Sequence, residues 1–436
     1  MRVHPRPKLE GRVHLPGDKS ISHRAAMLAA IAEGTSRIQN FSPGADCWST
    51  LTCLRGLGVK WQVENDLLVI QGQGFDGLTE PTDVLDAGNS GTTIRLMSGL
   101  LAGQPFFSVM TGDASLRQRP MRRVVEPLRL MGGNIIGRQD GQYAPLAIQG
   151  CPLDPIEYHS PVASAQVKSS LLLAGLSISG ETVVHEPHRS RDHTERMLAW
   201  MGADVQRDGR TVRLSGRPRL QPQTFTIPGD LSAAAFYLAA AGFLDSAEVE
   251  VAAVGVNPTR TGILDILDRM GMNIQQCNPR EECAEPVADL IGRPSRLRGV
   301  EIGGEMIPRC IDEIPILAVL ATQAEGTTVI RDASELRVKE TDRLATVTKE
   351  LRKLGATIEE LPDGLIIEGP VRLRGGRVAS HGDHRLAMSL AIAALVCEEP
   401  VDIEDAEVAQ ISDPRFYEQL NNLGATCQLL DAEVSA

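Results

Sequence analysis

The sequence predicts an α/β protein built from six repeated helix–strand units, arranged as two lobes of three units each. A helix end of the form Leu/Met-Gly recurs six times along the 436 residues and is followed within four residues by Val, Ile or Cys. Six Ala-rich helices, apolar on nearly all sides, alternate with these copies. A Pro-Gly-Asp turn precedes the first and the fourth of those helices. Regular recurrence of this kind is typical of a repeat architecture.

The Leu/Met-Gly copies mark the end of an amphipathic helix in each unit. Successive copies are separated by 74, 70, 69, 84 and 69 residues. Glycine after the last apolar residue of a helix is the usual C′ residue, because it adopts a positive φ without strain. The preceding segments, such as 193–200 and 343–351, have the apolar spacing of a helix with one buried face. The copies begin at Leu57, Met131, Met201, Met270, Leu354 and Leu423.

The second helix of each unit is apolar almost all round, so we expect it to be buried. Short β-branched segments that follow, such as 182–184 and 327–330, predict strands. Each lobe would then bury its helices and turn its sheets outward. The six buried helices are predicted at residues 22–32, 91–102, 165–177, 231–241, 313–324 and 384–396.

Two similar turns predict the lobe boundaries. The stretch Leu15-Pro16-Gly17-Asp18 is echoed by Ile227-Pro228-Gly229-Asp230, which marks the start of the second set of repeats. We therefore expect a first lobe of residues 1–15 plus 230–436 and a second lobe of residues 16–229. The chain would cross between them near 15–17 and 227–230, and these crossings would act as a hinge.

Composition excludes several classes of partner. A net charge of −12 argues against nucleic acid or an anionic membrane surface, because such binding needs a broad basic field. The longest apolar run, 386–397, is too short to span a bilayer, and the N-terminus lacks the apolar core of a signal peptide. We expect a cytoplasmic monomer. The eight cysteines include no CxxC pair and the nine histidines no HExxH, so no metal site is expected.

Basic residues lie at the starts of five of the six buried helices, although the protein is acidic overall. A helix N-terminus with Lys or Arg beside it suits a phosphate or a carboxylate. Each start taken alone is explained about equally well as an ordinary capped helix with solvated or salt-bridged charges. Their recurrence favours anion binding. The candidates are Lys19, Ser20, Arg24, Asn89, Arg95, Arg117, Arg119, Ser164, Gln166, Lys168, Arg189, Arg191, Asp312, Lys339, Glu340, Arg343, Asp383, His384 and Arg385.

These motifs, in this order, resemble those of the enolpyruvyl transferases over nearly the whole chain, and within that family the branch whose acceptor is shikimate 3-phosphate. The matching stretches are 17–20 with Arg24, 88–92 with Arg95, 119–120, 164–166, 337–343 and 383–385. The resemblance implies a two-lobed inside-out α/β barrel in which each lobe holds three βαβαββ repeats. It also implies an active site in the cleft between the lobes, with neither a metal nor an organic cofactor.

The resemblance assigns substrate contacts to individual residues. For shikimate 3-phosphate they are Lys19, Ser20, Arg24, Ser164, Ala165, Gln166 and Arg191, with Asp312 and Lys339 on its hydroxyls. For phosphoenolpyruvate they are Gly91, Arg119, Arg343 and Arg385, joined by Gln166 and Lys19. Supporting residues are Asn89, Thr92, Arg95, Asp383 and His384. Relatives often carry Ser where this chain has Ala165 and Tyr where it has Ser190. They also often carry a Lys near residues 411–414, a stretch in which this chain has no Lys.

The implied reaction transfers the enolpyruvyl group of phosphoenolpyruvate to the 5-hydroxyl of shikimate 3-phosphate, through a tetrahedral intermediate that loses phosphate. We expect Glu340 to protonate C3 and later to remove that proton, while Asp312 takes the hydroxyl proton and Lys19 assists the leaving phosphate. The small residue Gly91 would leave room for the inhibitor glyphosate, so we expect inhibition.

Two alternatives stay open. A sister enzyme of the family transfers the same group to UDP-N-acetylglucosamine and uses a loop cysteine as general acid, but the equivalent loop here, 114–119, contains no thiol. The chain could also be a non-catalytic repeat protein that binds phosphorylated metabolites.

Overall fold

Six four-stranded sheets of one topology contain all the named strands of this computed structural model, which describes residues 1–430. The strands are β1 (Arg2–His4), β2 (Lys8–His14), β3 (Glu33–Gln39), β4 (Lys60–Glu64), β5 (Leu67–Gln73), β6 (Leu85–Asp86), β7 (Phe107–Thr111), β8 (Asn134–Gly137), β9 (Tyr143–Gln149), β10 (Ile156–His159), β11 (Glu181–His185), β12 (Val205–Asp208), β13 (Thr211–Ser215), β14 (Thr224–Thr226), β15 (Ser246–Gly255), β16 (Asn273–Glu282), β17 (Glu285–Arg293), β18 (Glu301–Ile302), β19 (Gly326–Ile330), β20 (Thr357–Leu361), β21 (Gly364–Gly369), β22 (Gly376–Ala379), β23 (Val401–Glu404) and β24 (Thr426–Gln428).

Helices connect these strands in the order that the repeat predicts. They are α1 (Lys19–Ile31), α2 (Ala45–Gly56), α3 (Gly91–Ala102), α4 (Arg122–Leu130), α5 (Arg138–Gly141), α6 (Ala165–Gly175), α7 (His193–Trp200), α8 (Leu231–Phe243), α9 (Gly262–Arg269), α10 (Ile307–Cys310), α11 (Ile314–Gln323), α12 (Arg343–Lys353), α13 (His384–Ala394) and α14 (Phe416–Asn422). No helix within residues 1–430 is long and apolar enough to cross a membrane.

Each sheet repeats one pairing scheme. A parallel pair is extended by an antiparallel neighbour, as in β10–β11 followed by β13, or β18–β19 followed by β21. The strand orders are β14-β3-β5-β4, β6-β7-β9-β8, β10-β11-β13-β12, β16-β17-β15-β2, β18-β19-β21-β20 and β22-β23-β1-β24. Six copies of one α/β unit confirm the fold class that the sequence predicts.

The chain divides into two compact units. Unit 1 contains Met1–Leu15, Gly229–Arg280 and Pro286–Ala436, and unit 2 contains Pro16–Pro228 and Glu281–Glu285. The chain thus passes from one unit to the other within both Pro-Gly turns. The sequence analysis placed Gly229 in the second lobe and residues 281–285 in the first.

The six repeat glycines all adopt positive φ, between 84° and 107°. Each follows the last residues of an amphipathic helix, where a side chain would be strained. They are Gly58, Gly132, Gly202, Gly271, Gly355 and Gly424.

The Ala-rich helices form the centres of two hydrophobic cores, one in each unit. The helices α1, α3 and α6 lie in the core of unit 2, and α8, α11 and α13 lie in that of unit 1. Helix α1 begins at Lys19 rather than at the predicted Ser22, because Asp18 caps it by accepting a hydrogen bond from the Ile21 amide at 3.0 Å. Removing so much apolar surface from water is the main stabilising contribution of this arrangement.

Candidate active site

The start of α1 holds a lysine in a defined position. Asp18 caps the helix, and the Nζ of Lys19 lies 3.0 Å from Oδ2 of Asp46 in the first turn of α2. Both side chains are largely buried. The sequence analysis found Lys19 but missed Asp46, which orients its ammonium group.

Arg24, one turn further along α1, is a buried connection between three helices of unit 2. Its Nε donates to Oγ1 of Thr194 at 2.7 Å on α7, and its Nη2 donates to Oγ of Ser169 at 2.8 Å on α6. Its Nη1 donates to the Ser20 carbonyl at 2.9 Å. Burial lowers the pKa of Arg24 to about 10, so the guanidinium stays charged at neutral pH.

At the start of α3, an arginine and a glutamine connect two neighbouring helices. Nη1 of Arg95 donates to Oε1 of Gln166 at 2.7 Å, and Nε2 of Gln166 donates to Oγ1 of Thr92 at 3.1 Å. Ser90 caps α3 by accepting a hydrogen bond from the Thr93 amide at 3.1 Å. The amide of Gln166 is therefore fixed, and its position is coupled to that of Arg95.

A second arginine reaches the same helix start from a loop. Nη2 of Arg119 donates to Oδ1 of Asn89 at 2.5 Å, and Nη1 donates to the Asn89 carbonyl at 3.3 Å. A Cβ on Gly91 would lie 2.8 Å from Nη1 of Arg95 and 3.7 Å from Nη1 of Arg119. The first turn of α3 thus presents backbone N–H groups beside two guanidinium groups, which is the arrangement that binds an anion.

The start of α6 is tied to the segment that carries Arg191. Ser164 caps α6 by accepting a hydrogen bond from the Val167 amide at 3.4 Å. Lys168 is buried, and its Nζ lies 2.6 Å from Oε2 of Glu186 and 2.8 Å from Oε1 of Glu195. The hydroxyl of Ser190 also donates to Glu186. Ala165 begins α6, and Arg191 is half-buried two residues before α7.

In unit 1 a buried arginine joins three carboxylates. Arg343 lies 2.7 Å from Glu340 and 2.7 Å from Asp383, and 3.6 Å from Asp312. Nζ of Lys339 is also 3.6 Å from Oδ1 of Asp312. Burial alone would lower the pKa of Arg343, but the charges of Asp383, Glu340 and Asp312 outweigh burial and raise that pKa above its ordinary value. The candidates between residues 312 and 343 therefore form one cluster of charged side chains: Asp312, Lys339, Glu340 and Arg343.

Helix α13 begins within the same cluster. The carboxylate of Asp383 is fully buried and caps α13 by accepting hydrogen bonds from the Arg385 amide at 2.9 Å and the Leu386 amide at 3.4 Å. Burial opposes ionisation of Asp383, but the charge of Arg343 lowers its pKa below the ordinary value. His384 and Arg385 are buried too, and Nη1 of Arg385 has no hydrogen-bond partner among residues 1–430. A buried guanidinium of this kind favours an anionic ligand, because an uncompensated buried charge is costly.

The structure brings the predicted residues into two sets. In unit 2 direct contacts join Arg24 with Ser20, Arg119 with Asn89, and Arg95 with Gln166 and Thr92. In unit 1 they join Asp312, Lys339, Glu340, Arg343 and Asp383.

Several supporting residues escaped the sequence analysis. They are Asp46, Ser169, Glu186, Thr194 and Glu195. One signal was available: a lysine inside an apolar helix, such as Lys168, needs buried carboxylate partners. The sequence does not show which carboxylates these are.

Three comparisons with known proteins identify the same family. The family model for EPSP synthase (3-phosphoshikimate 1-carboxyvinyltransferase) matches residues 3–420. A 3-phosphoshikimate 1-carboxyvinyltransferase of Desulfitobacterium hafniense is 54% identical over 423 residues, which is 97% of each chain. One from Bacillus subtilis is 53% identical over 416 residues, covering 95% of this chain and 97% of the relative.

A solved structure of EPSP synthase from Acinetobacter baumannii superposes with a TM-score of 0.88 at 42% identity, covering 98% of this chain and 99% of that one. The repeated fold, the cationic helix starts and these matches lead to one conclusion: the chain belongs to the EPSP synthase (3-phosphoshikimate 1-carboxyvinyltransferase) family.

Proposed function

We propose that this protein transfers the enolpyruvyl group of phosphoenolpyruvate to the 5-hydroxyl of shikimate 3-phosphate and releases phosphate. Family membership supports the reaction. The observation that carries the residue assignments is the cluster in which Arg343 joins Glu340 and Asp312, with Lys339 beside Asp312. A carboxylate fixed next to cations is suited to moving protons while anionic substrates are held nearby.

Phosphoenolpyruvate carries a phosphate and a carboxylate, so several cationic groups are needed to hold it. We assign these to Arg119, Arg343 and Arg385, with Lys19, Gln166 and the helix start at Gly91. Arg385 is the strongest of these candidates, because no group in the described part of the chain forms a hydrogen bond with its buried Nη1. The planar guanidinium can contact a carboxylate or a phosphate through two parallel hydrogen bonds.

Shikimate 3-phosphate combines a phosphate with hydroxyl groups. As its contacts in unit 2 we assign Lys19, Ser20, Arg24, Ser164, Ala165, Gln166 and Arg191. For its hydroxyls we assign Asp312 and Lys339, which are 3.6 Å apart in unit 1. Asn89, Thr92 and Arg95 support the first set, and Asp383 and His384 support the second.

The proton transfers follow from these positions. Asp312 accepts the proton of the 5-hydroxyl as that oxygen attacks C2 of phosphoenolpyruvate, and Glu340 donates a proton to C3. In the tetrahedral intermediate Glu340 takes a proton back from C3 as the C2–O bond to phosphate breaks, and Lys19 stabilises the leaving phosphate. The proton that Asp312 took from the hydroxyl passes to the departing phosphate, so the two steps leave an enol ether and hydrogen phosphate, with Asp312 again ionised and Glu340 again protonated. No cofactor is required by this scheme. A cytoplasmic location and a monomeric state stay predictions.

The two alternatives differ in features that can be measured. Transfer to UDP-N-acetylglucosamine would need a reactive thiol, whereas burial raises the pKa of the buried Cys47, Cys53 and Cys283 thiols and makes them less reactive. A binding protein without catalysis would need no proton donor at Glu340.

Phosphate release from the purified protein tests the proposal. We expect release only when both shikimate 3-phosphate and phosphoenolpyruvate are present, and none with UDP-N-acetylglucosamine as acceptor. The variant Glu340→Gln should lose about 10²- to 10⁴-fold in kcat, the usual contribution of one acid–base group, while still binding shikimate 3-phosphate. Glu359→Gln, an exposed change on β20, is the matched control and should be fully active. Absence of phosphate release from the parent protein would leave the binding protein as the better explanation.

A further inference from the structure

The sheet β10-β11-β13-β12 of unit 2 brings together three side chains that could bind a metal ion. His159 on β10 is paired directly with His185 on the parallel strand β11. Glu157 lies two residues before His159, and alternate residues of a strand point to the same face. Glu157 and His159 are exposed, and His185 is half-buried. All three side chains thus project from one face of the sheet.

Their ligand atoms are already close. One nitrogen or oxygen atom from each of the three residues lies within 4.8 Å of the other two. Nε2 of His185 is 2.9 Å from Oε1 of Glu157. The imidazole rings of His159 and His185 stack with centroids 4.3 Å apart and planes 13° apart. The main chain holds this arrangement, because strand pairing fixes the spacing of the three Cα atoms.

A fourth residue fixes the orientation of one imidazole. Nδ1 of His185 is 2.8 Å from Oγ1 of Thr211 on β13. The threonine hydroxyl can accept as well as donate a hydrogen bond, so it can accept from Nδ1–H and leave the Nε2 lone pair for a metal. A hydrogen bond of this kind from the second ring nitrogen commonly supports a metal-bound histidine.

We propose that Glu157, His159 and His185 bind one divalent transition-metal ion of the Zn²⁺, Ni²⁺ or Cu²⁺ class. Two imidazoles and one carboxylate suit these ions, whereas Mg²⁺ and Ca²⁺ prefer oxygen ligands alone. Zn–N and Zn–O bonds are about 2.0–2.2 Å, so rotation of the exposed Glu157 and His159 side chains is sufficient to close the set around one ion. Water fills the remaining positions. Binding at Nε2 of His185 requires the neutral tautomer that carries its proton on Nδ1, where Thr211 accepts it.

The charges around this face allow a cation. The basic side chain on the neighbouring strand β13, Arg213, pairs with Glu181 at 3.0 Å, which offsets its charge. The sequence analysis expected no metal site because the sequence contains neither a CxxC pair nor an HExxH motif, and His159 and His185 are 26 residues apart. Only the parallel register places them side by side.

Titration calorimetry of the untagged, metal-free protein with Ni²⁺ and with Zn²⁺ tests the proposal. We expect one ion per chain, and no binding of Mg²⁺. His159→Ala and His185→Ala should each weaken binding by at least about tenfold, because loss of a direct ligand costs no less than loss of a supporting contact. Thr211→Val should weaken it by about tenfold. His14→Ala removes an exposed histidine outside this sheet and should bind as the parent does.

A Cu²⁺ electron paramagnetic resonance spectrum provides a second measurement. It should show hyperfine coupling to two imidazole nitrogens in the parent and to one in His159→Ala. Unchanged affinity in both histidine variants would place the ion elsewhere, for example on the partly exposed Cys151 or Cys277, and would overturn the proposal. Failure of the parent to bind either ion would also overturn it. Circular dichroism of each variant separates loss of binding from loss of folding.

Discussion

At the scale of single residues, Gly91 sets how closely the guanidinium groups of Arg95 and Arg119 approach the start of α3. A Cβ there would lie 2.8 Å from Nη1 of Arg95, so that side chain must move. Its movement would disturb the hydrogen bond from Arg95 to Gln166. The limited space beside Arg95, rather than backbone freedom, therefore explains why glycine occupies this position.

We expect Gly91→Ala to raise the KM for phosphoenolpyruvate on the order of tenfold, the usual cost of one methyl group in a fitted site. The KM for shikimate 3-phosphate should change much less, because the main contacts assigned to this substrate in unit 2 are on α1 and α6. The parent should be inhibited by glyphosate, and inhibition should weaken in the variant. Steady-state kinetics with each substrate varied in turn measures both effects. Equal changes in the two KM values would contradict this account of Gly91.

Lys168 is a buried charge whose partners are also buried. Burial opposes its charged form, but the carboxylates of Glu195 and Glu186 outweigh burial and raise its pKa. Lys168→Met would leave both carboxylates without their cation, so we expect a loss of about 3–5 kcal/mol in the free energy of unfolding. Urea unfolding measures this loss. Lys60→Met, an exposed change on β4, should cost no more than about 0.5 kcal/mol.

The triple variant Lys168→Met with Glu186→Gln and Glu195→Gln removes the charges together. It should recover part of the loss, because no uncompensated charge is left inside the unit. If it is no more stable than Lys168→Met, the ion pairs do not explain the effect of the single change.

At the scale of elements, α1 contains a buried histidine that makes the helix sensitive to acid. Nδ1 of His23 is 2.7 Å from Oγ1 of Thr50 on α2, and Thr50 is hydrogen-bonded to Thr93 on α3 at 2.7 Å. Burial lowers the pKa of His23 to about 3; the charge of Asp46 opposes this shift, and the charges of Lys19 and Arg24 add to it. The native protein thus keeps this imidazole neutral, whereas the unfolded chain protonates it near its ordinary pKa of about 6.5.

Acid should therefore destabilise the folded protein through His23. Because the unfolded state binds the proton more readily, the contribution of His23 to stability is complete above the unfolded pKa and falls as pH drops toward 3. Between about pH 7.5 and about pH 5 the parent should lose about 2 kcal/mol through this residue. His23→Gln should remove that part of the loss. Urea unfolding at both pH values measures it, and an equal loss in parent and variant would show that other groups cause the acid sensitivity.

Element order and most helix positions could be predicted because each depends on local chemistry. The positive φ of Gly202 and the apolar faces of α3 and α8 are properties of short stretches of sequence. The start of α1 was misplaced, because both Asp18 and Ser20 are residue types that cap helices. Only the structure shows that Asp18 accepts the hydrogen bond from the Ile21 amide. The Arg343 cluster was predicted in part, because Glu340 and Arg343 are only three residues apart in the sequence, although Glu340 lies before the start of α12.

What could not be predicted depends on pairing between distant segments. The partners of Lys168 are 18 and 27 residues away on separate elements. The pairing of His159 with His185 depends on a strand register that the sequence does not specify. The burial of Arg385 depends on helix packing. Residue type and spacing identify candidates, and long-range packing decides which of them meet.

At the scale of the whole molecule, the net charge is negative, so anion binding must depend on where individual cationic side chains lie. With 44 basic and 56 acidic side chains, the protein has no general excess of positive charge that would attract anions. Arg24, Arg343 and Arg385 are nevertheless buried near helix starts, where anions are favoured. We therefore expect selective binding of two anionic metabolites to be a local property of these elements.

Each unit has its own hydrophobic core, and nearly all of unit 2 comes from one continuous stretch, Pro16–Pro228. The strand β14 near the end of this stretch pairs with β3 near its beginning, which completes a sheet within the unit. A chain of residues 16–228 should therefore fold alone, as a domain with its own core can. It should release no phosphate, because Asp312 and Glu340 are missing.

The fragment should be less stable than unit 2 in the intact protein. It lacks Glu285, whose carboxylate lies 2.8 Å from Nδ1 of the buried His193. Loss of a buried partner costs about 1–3 kcal/mol. A shorter fragment of residues 16–200 lacks β12, β13 and β14 and should not fold, because β11 loses its pairing with β13 and β3 loses its pairing with β14. Circular dichroism and urea unfolding distinguish these outcomes. If the 16–228 fragment is unfolded while the intact protein is folded, the core of unit 2 depends on the rest of the chain for its stability.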